Sequence, residues 1–337
     1  MTTHIDIICP VYREEATILA FHQALEGATE PMREEISFRY VYVVDPSSDR
    51  SEEILRDLAE RNARVSVIVM SRRFGHQAAL VAGLDACGGD AVVMLDSDLQ
   101  HPPSLIQDLV QHWRNGADIV QAVRQHGAET KIERRLSSEV FYRLFDQLAG
   151  MPIRSGAADY RLLSRKVVDV FRDQLREQNP FLRGLVTWVG YDVAYVPFTP
   201  GKRAGGQSKY SIATLMTFAA NGLFSFSKLP LRFCGLLGLG FAVLSIIGGL
   251  ANVVIYFLVS DTYAPGWPSL FAFVTFAFGI VLFFLGVIGE YIGLIFDEVK
   301  GRPRYLVRTT YGATAAHGSD GSNAQRGEHM TRGEQSR

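Results

Sequence analysis

The sequence predicts an α/β protein: a mostly parallel sheet domain over residues 1–210, followed by an interfacial helix and a two-helix membrane hairpin. Two observations carry that expectation. Short Val- and Ile-rich runs alternate with helical patterns through the first 125 residues, as in chains of βαβ units. Further on, charge almost disappears from one long stretch.

The apolar runs are Ile5–Cys9, Tyr40–Val44, Val65–Met70, Ala91–Leu95 and Ile119–Val123, each of strand length. Between them, Glu52–Arg61 has helical spacing with Ser51 as its N-cap, and Ser104–Trp113 starts a helix behind Pro102-Pro103. Residues 211–230 carry Ile212, Leu215, Met216, Ala219, Leu223 and Phe226 at helical spacing with little charge. That pattern suits a helix in the membrane interface, and suits nearly as well a helix packed on the sheet domain.

Residues 231–293 hold the hairpin, with Arg232, Asp261 and Glu290 as the only charged side chains. The uncharged runs Phe233–Ser260 and Thr262–Gly289 each exceed the ~20 residues that cross a bilayer as a helix. Buried core helices seldom run that long without a charge. Tyr263 and Trp267 suit an interface in the short linker between them. Lys228 and Arg232 precede the first span, and Lys300, Arg302, Arg304 and Arg308 follow the second. The positive-inside rule then puts both flanks and both termini in the cytoplasm, with the chain as a multi-pass protein of the inner membrane. No apolar run follows a basic start at the N-terminus, so no signal peptide is expected. Gly286, Gly289 and Gly293 would permit close helix approach in a homo-oligomer, or serve no such purpose. Residues 294–311 form a cytosolic C-terminal segment, and the Gly-, Ala- and Ser-rich tail 312–337 is expected to be disordered.

Composition narrows the function. With 34 Lys+Arg against 35 Asp+Glu, the basic excess of a nucleic-acid binder is missing. Three scattered cysteines, Cys9, Cys87 and Cys234, exclude a disulfide framework and argue against a zinc cluster. The only Gly-dense run lies in the hairpin and no Gly-Lys-Ser/Thr loop exists, which disfavours dinucleotide and P-loop sites.

In parallel sheets ligands bind beyond the carboxyl ends of the strands. Here those ends carry Pro10-Val11-Tyr12-Arg13-Glu14-Glu15, Asp45-Pro46-Ser47-Ser48-Asp49 and Asp96-Ser97-Asp98-Leu99-Gln100-His101-Pro102. Carboxylates converging on one edge make a poor core but a good site for a divalent cation and a hydroxyl-rich ligand. Asp96, Asp98 and Gln100 offer hard oxygens that suit Mg2+ or Mn2+ rather than zinc. Alone, Asp-x-Asp is common in solvated turns; at a strand end beside two other acidic ends it points to a metal. His76, His101 and His126 lie near strand ends too, where surface histidines without a ligand role are common.

The segments Cys9–Glu15, Ser71–Ala82 (SRRFGHQAALVA), Asp96–Pro103, Asp159–Lys166, Arg203–Tyr210 (RAGGQSKY) and Gly289–Tyr305 occur in the order that resembles glycosyltransferase family 2. To about Val307 the chain is similar to its polyisoprenyl-phosphate branch. The resemblance implies a GT-A fold and a metal-dependent, inverting transfer of one sugar from a nucleotide sugar to undecaprenyl or another polyprenyl phosphate. It implies that Pro10, Tyr12, Glu14, Asp45, Asp96 and Arg124 contact the donor, and that Asp96, Asp98 and Gln100 hold Mg2+ or Mn2+. It also implies Asp159 as the catalytic carboxylate and Arg203 and Lys209 as phosphate ligands. Gly205-Gly206 between that last pair would let the loop close on a phosphate. The chain departs from the pattern at Pro46, where the second loop usually carries another Asp, at Arg73, where Asn is common, and at Leu294, where Arg is common.

The chemistry follows from the residues as well. Sugar transfer leaves negative charge on the departing phosphates and develops positive charge on the sugar. A lipid phosphate with a second pKa near ~6 is largely dianionic at neutral pH, so a strong base is less needed. Asp159 is therefore expected to orient the acceptor or Arg161 as much as to take a proton. A processive polysaccharide synthase is disfavoured, because Gln111-His112-Trp113-Arg114 is not the Gln-x-x-Arg-Trp signature. A catalytically silent membrane scaffold would not need Asp96, Asp98, Asp159, Arg203 and Lys209 intact. The partners implied are a nucleotide sugar, a polyprenyl phosphate and a lipid bilayer, with no nucleic acid. The sugar itself is not fixed by these motifs, with a UDP-hexose such as UDP-glucose favoured.

Overall fold

The computed structural model describes residues 2–125, 156–178, 180–199, 229–258 and 267–312. Its strands are β1 (Thr3–Val11), β2 (Ile36–Val44), β3 (Val65–Met70), β4 (Ala91–Met94), β5 (Ile119–Arg124), β6 (Ala157–Ser164), β7 (Val193–Phe198) and β8 (Val307–Gly312). They form one sheet in the order β7-β5-β6-β4-β1-β2-β3-β8. β1 pairs in parallel with β2 and β4, and β2 with β3, while β6 and β8 run against their neighbours. The expected mostly parallel sheet is present, with each of the five expected strands inside it.

Burial on both faces explains the continuous apolar runs. Side chains of β1 alternate: Ile5, Ile7, Cys9 and Val11 join one core, and Ile8 joins the other. The first core is closed by α1 (Ile18–Thr29), α2 (Ser51–Arg61) and α4 (Ile106–Arg114). The second is closed by α3 (His76–Ala86), α5 (Arg165–Asp173) and α6 (Leu182–Trp188). Helix α3 lies close against β1, since a Cβ at Gly83 would stand 2.5 Å from Ile8 Cγ2. Cys9, Cys87 and Cys234 are buried free thiols, in keeping with the missing disulfide framework.

A charged residue sits in the middle of this sheet. Asp6 is fully buried and accepts from Arg39 Nε and Nη2 at 2.7 and 2.9 Å and from the Gly88 and Gly89 N–H groups at 2.8 and 2.9 Å. Burial opposes its charge, but His4, Arg39 and the Gly89 amide outweigh that and hold the carboxyl well below the usual range.

Three local expectations change. Ser51 is the first residue of α2 rather than its cap: its Oγ accepts the Glu14 N–H at 2.9 Å and donates to Asp49 at 2.5 Å. The helix expected from Ser104 starts with a 3-10 turn at Pro103–Leu105 and becomes α-helical at Ile106. The boundary at Gly293 falls within a helix, and part of the segment after it belongs to the sheet domain. Helices α7 (Leu229–Leu258) and α8 (Trp267–Lys300) hold the described part of the two uncharged runs. Among the described residues one segment, Phe276–Lys300, is long and apolar enough to cross a membrane, and none of it is buried inside the protein. Beyond α8 the chain turns at Gly301 and returns as β8, antiparallel to β3. Arg304 Nη1 donates to the Leu175 carbonyl, Tyr305 Oη to Asp85 at 2.8 Å and Arg308 Nη2 to Glu52 at 2.7 Å along the way. Residues 211–228 and 313–337, with the expectations placed on them, lie outside the described residues.

Candidate active site at the strand ends

Strand order reverses around β1, which has β2 on one side and β4 on the other, and such switch points are where open α/β sheets bind ligands. The loops leaving β1, β2 and β4 are tied to one another there. Ser97 Oγ donates to the Pro10 carbonyl at 2.8 Å, fastening the β4 loop to the end of β1. Asp45, buried at the end of β2, accepts the Phe74 and Gly75 N–H groups at 2.9 and 2.8 Å and so holds the turn that starts α3. Gly75 has φ 96°, a conformation open to glycine. Glu14 accepts Thr17 Oγ1 at 2.6 Å in the first loop. Tyr12 lies under Arg73, whose guanidinium carbon is 4.2 Å from the ring centroid.

The chemistry centres on Asp96 and Asp159. Asp159, on β6, is buried and accepts Arg161 Nη2 at 2.6 Å on one oxygen. Arg183, at the start of α6, adds Nε at 3.1 Å to the same oxygen and Nη2 at 2.8 Å to the other. His76, the first residue of α3, has Nε2 3.6 Å from Asp159 Oδ2 and 3.5 Å from Asp96 Oδ1. Arg183, Asp159, His76 and Asp96 thus form a row in which basic and acidic side chains alternate, drawn from α6, β6, α3 and the end of β4.

The titrations follow this row. Burial opposes ionisation of Asp159, but His76, Arg183 and Arg161 together hold its carboxyl well below the usual range. Asp96 shifts the other way: burial raises it, and Asp159 and Asp98 add to that against His76 and His101. Burial works against the charged His76 too, yet Asp159 and Asp96 win and raise its pKa. His101 is pushed down by burial, against the pull of Asp96. Its Nδ1 accepts the Asp96 N–H at 3.1 Å, as a neutral ring does, and it packs 5.3 Å from Tyr160 and 5.7 Å from Phe198.

The third carboxylate lies in the turn after Asp96. Asp98 accepts the Gln100 N–H at 3.0 Å and Gln100 Nε2 at 2.7 Å, and Gln100 Oε1 accepts Arg124 Nη2 at 3.0 Å. Leu99 between them has φ 61°, unusual for a leucine and a mark of a constrained turn. Among the described residues no group of three or more His, Cys, Asp or Glu side chains is set to hold a metal. The residues still fit a hard divalent cation of the Mg2+ type, which takes one or two carboxylates and fills its remaining positions with substrate phosphate and water. A partly exposed Asp96 whose pKa is raised by burial, with Asp98 and Asp159 adding to it, is where such a cation would relieve charge.

Residues 6–171 match the model of glycosyl transferase family 2. Bacillus subtilis (strain 168) has a relative named uncharacterized glycosyltransferase YkcC that is 38% identical over 316 residues, 93% of this chain and 96% of that one. The SfII prophage-derived bactoprenol glucosyl transferase of Shigella flexneri is 36% identical over 307 residues, 91% of this chain and 98% of its own. The chain belongs to glycosyl transferase family 2. Among solved structures, glucosyl-3-phosphoglycerate synthase of Mycobacterium tuberculosis is similar at TM-score 0.43 and 19% identity, covering 66% of this chain and 78% of that one.

In this family-2 chain the sheet brings Pro10, Tyr12, Glu14, Asp45, Asp96, Asp98, Gln100, Arg124 and Asp159 to one edge. Glu14 and Asp45 use hydrogen bonds there to brace their loops. Arg203, Lys209 and His126 lie outside the described residues. Sequence reasoning missed Arg183 and set His76 and His101 aside. His76 and His101 stand in matched segments and could have been weighed from that; Arg183 sits in no matched segment, and only its contact with Asp159 reveals it.

Proposed function

We propose that this chain transfers a single sugar, with inversion, from a nucleotide sugar such as UDP-glucose or another UDP-hexose to undecaprenyl or another polyprenyl phosphate. The lipid-phosphate-linked sugar would serve cell-envelope glycosylation. The observation that carries the reading is the Arg183–Asp159–His76–Asp96 row at the switch point of a chain that matches bactoprenol glucosyl transferases over nearly their whole length.

The donor would lie across the ends of β1, β2 and β4, over Tyr12, with Arg124 at the side of Asp98 and Gln100. Asp96 and Asp98 would hold Mg2+ or Mn2+, which when bound supplies positive charge for the departing diphosphate. Asp159 already accepts three hydrogen bonds from guanidinium groups, so it is a poor proton acceptor. A dianionic acceptor phosphate needs little base help, and Asp159 acts instead by fixing Arg183 and His76 around the reacting centre. Its negative charge also favours positive charge developing on the sugar. Arg203 and Lys209 would meet the acceptor phosphate.

The anchor completes the reading. Helices α7 and α8 expose large apolar side chains along their length, among them Phe233, Leu236, Leu239, Phe276, Phe283 and Ile292, as membrane helices do. We take both helices as a membrane hairpin, with Lys300, Arg302 and Arg304 on the cytoplasmic side beside the catalytic domain. The deciding experiment incubates the full chain with labelled UDP-glucose, other nucleotide sugars, Mg2+ and undecaprenyl phosphate, and identifies the lipid product by mass spectrometry. A sugar-phospholipid product is expected. No lipid-linked product from any donor would overturn the reading and favour a silent scaffold.

A further inference from the structure

The first loop and the turn before α3 carry three guanidinium groups that the proposed chemistry leaves unused. Arg73 lies over the Tyr12 ring at 4.2 Å from its centroid, and Arg13 shares that ring at 5.3 Å. Arg72 covers Phe74 at 4.0 Å and donates from Nη1 to the Arg73 carbonyl at 3.2 Å. All three arginines are exposed, while Tyr12 and Phe74 are partly buried.

No carboxylate among the described residues pairs with Arg13, Arg72 or Arg73, although carboxylates are plentiful nearby. Each of those is engaged elsewhere. Glu14 accepts Thr17 Oγ1, Glu15 accepts the Arg50 N–H at 2.9 Å, Asp45 accepts Phe74 and Gly75, and Asp49 accepts the Glu15 N–H and Ser51. The Asp45 clamp also fixes the backbone from which Arg72 and Arg73 project. Arg13 takes φ 60°, a conformation that costs a non-glycine residue about 1 kcal/mol or more. Guanidinium groups held over rings can still offer N–H groups to phosphate oxygens.

We propose that Arg13, Arg72 and Arg73, laid on Tyr12 and Phe74, form a phosphate-binding shelf at the mouth of the cleft. The ligand chemistry is a phosphate ester. Its position at the ends of β1 and β3 favours the diphosphate of the nucleotide donor, so the shelf deepens the reading above and rests on it for the donor; a lipid phosphate has the same chemistry.

Calorimetry on the full chain in detergent micelles with Mg2+ tests this, with UDP and farnesyl phosphate as separate probes. The double substitution R13Q/R73Q should weaken UDP binding about tenfold, R73K should recover part of the loss, and the melting temperature should stay at the wild-type value. A loss confined to farnesyl phosphate would assign the shelf to the lipid phosphate instead. The proposal is overturned if both probes bind the double variant within twofold of wild type, or if wild type binds neither. An equal loss from R61Q, at the far end of α2, would overturn it too by showing a general charge effect. Absence of sugar transfer by a chain whose phosphate binding still depends on Arg13 and Arg73 would sink the proposed function and leave the shelf standing.

Discussion

Asp159 is the most heavily engaged carboxylate of the cleft, and its partners set what substitutions should do. Asp159→Asn keeps the shape but removes the charge that holds Arg183 and His76. Turnover should fall about 100-fold with the donor KM within about threefold, as for loss of an interaction made mainly in the transition state. Arg183→Gln should show the same split and Arg183→Lys a smaller one; steady-state kinetics at varied donor checks both, and near-normal turnover of Asp159→Asn would rule out the orienting role. Asp6 makes a different prediction, on stability. Its folded pKa is depressed, so its contribution is present above the unfolded carboxylate value of ~3.9 and is lost as pH falls below it. Asp6→Asn leaves Arg39 buried without its counter-charge and should cost about 3–5 kcal/mol at neutral pH. Chemical denaturation across pH 3 to 7 should show the wild type losing stability toward acid and the variant changing less.

Among the elements, α3 and β8 contribute most to positioning the site. Helix α3 presents His76 from its first turn only because it lies flat on β1, and Gly83 makes that approach possible. Gly83→Ala would drive a methyl into Ile8 and should destabilise by about 1–3 kcal/mol despite the better helix propensity of alanine, read as a lowered melting temperature. Strand β8 covers the edge of β3 that would otherwise stay open. Leu306, just before it, accepts the Ser71 N–H at 2.8 Å, so the returning chain also braces the loop that carries Arg72 and Arg73. Tyr305→Phe removes the hydrogen bond to Asp85 and should cost about 1 kcal/mol, measured by thermal unfolding.

For the molecule as a whole, helices α7 and α8 lie in sequence between strands β7 and β8 of one sheet. Helices α7 and α8 follow β7 in the chain, and the strand after them, β8, pairs with β3. Glu298, near the end of α8, accepts the Gln178 N–H at 2.8 Å, a further tie between helix and domain. The protein should therefore stay with the membrane fraction through high-salt and alkaline carbonate washing and be released by detergent; release by salt alone would contradict a spanning anchor. Chelation of divalent cations should abolish sugar transfer, and added Mg2+ or Mn2+ should restore it; full activity in excess chelator would exclude the metal role of Asp96 and Asp98.

What the sequence determined by itself was local and periodic. Strands β1 to β5 are legible because residues buried on two faces must be apolar in unbroken runs, and the acidic clusters are legible because they end those runs. The charge-free stretch is legible for the same reason, since hydrocarbon or a dry core tolerates few ions. Motif order fixed the family. Tertiary structure decided the pairings: Arg183 reaches Asp159 across 24 positions and Tyr305 reaches Asp85 across 220. It also decided that β8 returns to the sheet, that Asp45 braces a loop and that His76 joins Asp96 to Asp159. No periodicity encodes these contacts, because each depends on which distant backbone the folded sheet brings alongside.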